Sequence, residues 1–87
     1  METPRLAYLV GWAAGMITIL SFVPQAVRVW RTRHTKDLSA GTFVMLVLQS
    51  AGWTFYGVLL HQSPIIWTNT FVLVLTLAIL TAKLRHG

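Results

Sequence analysis

Two long stretches without a charged side chain set the terms for this sequence. Leu6 to Val27 runs 22 residues with no Asp, Glu, Lys or Arg, and Leu38 to Ala82 contains none either. The second stretch is too long for one membrane crossing. His61-Gln62-Ser63-Pro64 breaks it into Ala40–Leu60 and Pro64–Ala82, of 21 and 19 residues. At 1.5 Å per residue the three apolar segments run about 28–33 Å, the thickness of a hydrocarbon core. The expected architecture is an all-α membrane protein. One domain covers residues 1–87, with three transmembrane helices at approximately 5–29, 40–60 and 64–83.

Composition supports this reading. Charged residues make up 10% of the chain and hydrophobic residues 55%, whereas soluble domains carry about 25% charge. A fold of this size buries too little of its surface to hide so much apolar area from water. There are no cysteines, which excludes disulfides, thiolate chemistry and Cys-based zinc sites. The net charge of +5 would suggest nucleic acid in a soluble protein. Here the cations flank apolar spans, so no nucleic-acid partner is expected. The first segment does not read as a cleaved signal peptide. Its leading residues hold both Glu2 and Arg5, and its apolar stretch exceeds the usual length and runs straight into polar residues.

The basic residues orient the chain. Arg28, Arg31, Arg33 and Lys36 follow the first span, and Lys83 and Arg85 follow the third. With three spans these two regions share a side, and only Arg5 lies opposite. The positive-inside rule then places the N-terminus outside and the C-terminus in the cytoplasm, with all copies inserted parallel.

Several residues mark helix ends and possible sites. Thr3-Pro4 and Ser63-Pro64 read as hydroxyl N-caps before a proline at the first helical position. Asp37 or Ser39 suits the cap of the second helix. Gly11, Ala14, Thr18, Ser21 and Gln25 share one face of the first helix, and Gly11 and Gly15 form a G-x-x-x-G pair that lets a neighbour approach closely. Pro24 removes a backbone hydrogen bond and frees the Leu20 carbonyl, which makes it either a static kink or a hinge. Gln49, Trp53, Tyr56 and Leu60 share a face of the second helix. Trp53 lies about 10 Å inside the membrane and Asn69 about 8 Å in from the same surface, at similar depth. Thr76 falls near the same face as Asn69. An asparagine at that depth must face protein or water.

Glu2 and Asp37 are the only acids, and both lie outside the spans. His34, His61 and His86 are far apart in sequence and show no metal-ligand spacing. No nucleophile–base pair is evident, so neither an enzyme nor a cofactor is expected. No carboxylate sits in a span to carry a coupling proton.

Ser21 to Ser39, SFVPQAVRVWRTRHTKDLS, resembles the PQ-loop motif. Trp53-Thr54-Phe55-Tyr56-Gly57, followed twelve residues later by Asn69, is a second and independent likeness. Together, and over nearly the whole chain, they resemble the SemiSWEET family of bacterial sugar transporters. The resemblance implies a parallel homodimer of three-helix bundles, six helices in all, in a bacterial inner membrane. It implies a sugar pocket lined by Trp53 and Asn69, a hinge at Pro24 and Gln25, and an extracellular gate at Tyr56 and Gln62. Thr18, Ser21 and Gln49 are expected to line the pocket. The family usually has an aspartate at the position of Gln62. A glutamine forms no ion pair, so the gate is expected to close through neutral hydrogen bonds or to open more easily. The reading is a passive sugar transporter working by alternating access, with sugar, bilayer and a second copy as its partners. Two rivals stand beside it: a PQ-loop-type carrier of another neutral solute such as an amino acid or vitamin, and a small membrane subunit that transports nothing.

Overall fold

The computed structural model describes residues 3–87, apart from the side chain of Thr3. It consists of three helices: α1 (Thr3–Thr32), α2 (Ala40–Leu60) and α3 (Ser63–His86). Each is long and apolar enough to cross a membrane. α1 continues one turn beyond its charge-free stretch, through Arg28 and Arg31, and the Thr32 hydroxyl donates to the Arg28 carbonyl at 2.8 Å. It stops where Arg33 turns left-handed (φ 58°) and its N–H returns to the Val29 carbonyl at 2.8 Å.

Of the two candidate caps for α2, Ser39 is the one that acts. Its side chain accepts from the Thr42 N–H at 3.1 Å. α2 closes on His61, left-handed at φ 55°. The His61 N–H donates to Val58 and the Gln62 N–H to Gly57, the paired bonds of a Schellman ending. That turn corrects one expectation. Gln62 is consumed by the end of α2 and is at once the N-cap of α3, without a side-chain capping bond. Ser63 is therefore the first helical residue rather than the cap. The expected cap at Thr3 falls on a side chain outside the described residues. Lys83, Arg85 and His86 occupy the last turn of α3, where cations oppose the negative end of the helix dipole.

In space α3 lies between the other two. It packs against both α1 and α2, and those two make no backbone contact with each other among the described residues. α1 runs parallel to α3. A Cβ added at Gly11 would stand 3.3 Å from the Pro64 Cβ, and one at Gly15 2.1 Å from the Thr68 Cγ2. The neighbour admitted by the glycine pair is thus α3 of the same chain. α2 runs antiparallel to α3, and Gly57 lies against Ile65 and Ile66. The Cα trace measures 48 × 22 × 14 Å, a slab little more than one helix layer thick.

The core sits toward the end of the slab that carries the basic residues. Ala26, Phe43 and Ile79 are buried there, with Phe22, Leu38, Leu46, Leu75 and Leu80 packed around them. Trp30 ties the end of α1 to α3. Its Nε1–H donates to the Ala78 carbonyl at 2.9 Å, its ring meets His86 edge-on at 6.2 Å, and the Arg85 guanidinium lies 5.9 Å from it. The Lys83 ammonium donates to the Thr35 carbonyl at 3.0 Å and so fastens the α1–α2 loop to the same helix end. Most large apolar side chains face outward, among them Ile17, Met45, Phe55 and Val74, as a lipid-solvated chain allows.

Candidate functional site

The groove between α1 and α3 exists because three neighbouring positions on α1 carry little or no side chain. Gly11, Ala14 and Gly15 leave a hollow of about 220 Å³, completed by Thr18 of α1 and by Ile65, Asn69 and Val72 of α3. Every residue lining it is uncharged. Asn69 is half-buried, and its Nδ2 donates to the Ile65 carbonyl at 3.1 Å. That bond uses one of two amide donors, and the side chain also carries a carbonyl acceptor. The Thr18 hydroxyl donates to the Ala14 carbonyl at 3.0 Å, which leaves its oxygen lone pairs as acceptors. The groove thus offers donors and acceptors on apolar walls, the makings of a site for a neutral polar solute.

Trp53 and Tyr56 stand on α2. Their rings meet edge-on at 5.2 Å and 86°, and both are about half exposed. With Gln49 and Gly52 they line a separate shallow hollow. The Gln49 amide donates to the Ser50 hydroxyl at 3.2 Å. The contact of Gly57 with Ile65 and Ile66 sets the antiparallel register of α2 on α3, and that register brings Trp53 level with Asn69. Within one protomer the two residues nevertheless line different hollows. Asn69 is brought together with Thr18, and Trp53 with Tyr56 and Gln49.

The other expected residues are dispersed. Ser21 lies on the exposed side of α1 outside the groove, its hydroxyl donating to Ile17 at 2.8 Å. Pro24 is exposed and Gln25 half-buried, and α1 stays helical through both. Gln62 lines a hollow at the N-terminal end of α1 with Tyr8 and His61, apart from the hollow of Tyr56. Among the described residues no three metal-ligating side chains cluster. Three groove residues not singled out beforehand are Ile65, Thr68 and Val72. Ile65 and Val72 lie four residues before and three after Asn69, so helical spacing from that amide points to both.

Residues 6–66 match the PQ loop repeat family. The chain is 39% identical to a sugar transporter SemiSWEET of Bradyrhizobium diazoefficiens, over 97% of this chain and 98% of that one. It is 38% identical to a protein of the same name from Leptospira biflexa, over 91% and 93%. A crystal structure of a bacterial homologue of SWEET transporters superposes with a TM-score of 0.86 at 35% identity, covering 94% of this chain and 99% of that one.

Proposed function

The chain belongs to the SemiSWEET family of PQ-loop membrane proteins, and from that premise we propose that it carries sugars passively across the membrane as a parallel homodimer working by alternating access. The observation that carries this reading is the near full-length likeness to proteins named sugar transporters. The geometry supports it in two ways. A slab 14 Å thick encloses no path by itself. One groove of about 220 Å³ is also smaller than the roughly 300–1,000 Å³ of ligand pockets, whereas two facing grooves offer about 440 Å³.

In this reading each protomer contributes one Asn69 and one Trp53 to a shared pocket. The amide hydrogen-bonds sugar hydroxyls, and the indole covers an apolar sugar face. Pro24 and Gln25 provide the hinge. Tyr56 and Gln62 close the outer end through neutral hydrogen bonds. The N-terminus is outside and the C-terminus cytoplasmic, the orientation that the positive-inside rule favours for these basic residues.

The neutral groove equally suits other uncharged solutes, and a subunit without transport activity would use the same residues for packing. Uptake of a panel of labelled sugars into liposomes holding only the purified protein, with neutral amino acids as controls, separates these readings. Sugar uptake above empty liposomes supports the proposal. Uptake of amino acids alone, or of nothing, overturns it.

A further inference from the structure

We infer that Thr76 is a positioning residue for transport: it gives α3 a bending point that works with Pro24 of α1. This rests on the alternating-access reading.

α1 is fastened to α3 on both sides of its proline. On the outer side, Gly15 is so close to Thr68 that a Cβ would stand 2.1 Å from it. On the inner side, the Trp30 indole bonds the Ala78 carbonyl. Any angle opened at Pro24 is therefore imposed on α3 between Thr68 and Ala78, because one attachment is interlocked and the other hydrogen-bonded. The contacts Gly11–Pro64 and Gly15–Thr68 share an offset of 53 residues, and this offset sets Pro24 level with Leu77, next to Thr76. α3 has no proline there.

α3 carries several side chains that bond back to their own helix. Those of Thr68, Asn69 and Thr70 bond carbonyls at Pro64, Ile65 and Ile66, outside the bracketed segment, and that of Thr81 reaches one carbonyl at its inner edge, Leu77, at 2.7 Å. Thr76 alone among these reaches two carbonyls within it, Val72 at 2.9 Å and Leu73 at 3.2 Å. It is also fully buried, with 0% exposure. Back-bonding hydroxyls favour helix bending. In a membrane they keep a carbonyl bonded when its backbone N–H moves away. Thr76 thus does for α3, with a hydroxyl, what Pro24 does for α1 by lacking an N–H.

Thr76→Val keeps the side-chain shape and removes the hydroxyl, and Thr76→Ser keeps the hydroxyl. The expected result is that T76V binds sugar as the wild type does but turns over about three- to tenfold more slowly, the worth of one hydrogen bond, while T76S turns over near the wild-type rate. T76V as fast as wild type, or T76S as slow as T76V, overturns the proposal. Hydrogen exchange on the unmodified protein gives a readout that needs no sugar and no variant. The amides of Thr76 and Leu77 should exchange faster than those of Thr70 and Phe71. Equal or slower exchange there overturns the bending point even if T76V does not fold. If the wild type carries no sugar, the functional reading fails and the exchange pattern still decides the hinge.

Discussion

Gly15 and Thr68 interlock: a Cβ on residue 15 would stand 2.1 Å from the Thr68 Cγ2 and 2.6 Å from its Cβ. No rotamer of a buried threonine relieves a clash with its own Cβ, so the helices must part. Gly15→Ala should destabilise the protein by about 1–3 kcal/mol, the usual cost of overpacking. Gly11→Ala, whose added Cβ would meet Pro64 at 3.3 Å, should cost less. Thermal unfolding of the purified variants in detergent checks the order, and a G15A protein as stable as wild type would show that α1 and α3 separate freely.

Asn69→Ala should abolish measurable uptake while insertion and dimerisation persist. In the proposed two-fold dimer the substitution removes two amides at once, a loss of about 1–3 kcal/mol. A millimolar ligand has only about 4 kcal/mol of binding free energy. Trp53→Ala should do the same by removing the stacking surface. Normal uptake by both variants would make these residues packing groups.

Pro24→Ala should slow transport and leave the dimer intact. Alanine restores an N–H to bond the Leu20 carbonyl, and the helix resists bending. Single-turnover exchange in liposomes measures this, and a wild-type rate would reduce Pro24 to a fixed kink.

A pH gradient should not drive sugar above its equilibrium level. No carboxylate lies in Leu6–Val27 or Leu38–Ala82 to bind and release a coupling proton. Uphill accumulation in acid-outside liposomes would disprove passive transport.

The number of helices and the break at residues 61–64 could be read directly, because charge is expensive in lipid and proline opens a helix cheaply. The order α1–α3–α2 could not. Each helix is apolar on nearly all sides, and in lipid no face is singled out for burial. Gly11 and Gly15 announced a close neighbour without naming it. The same limit applies to the groove. Counting residues from a turn fixes the depth of Trp53 and Asn69 but not the direction in which either points. That direction depends on which helices pack together, so Asn69 fell beside Thr18 and Trp53 beside Tyr56. The cap of α3 moved from Ser63 to Gln62 because His61 and Gln62 are spent on ending α2, a demand of the backbone rather than of side-chain type.

The placement of α3 between its predecessors also bears on how the protein is made. During synthesis α1 and α2 enter the membrane first, yet they have no backbone contact to form with each other. The short loop between them joins two helices whose backbones are both packed against the third. Both interhelical seams then close within the same late step, since the close approaches at Gly11, Gly15 and Gly57 all have their other half on α3. A released chain ending at Leu60 would hold two unassembled helices rather than a partly folded protein.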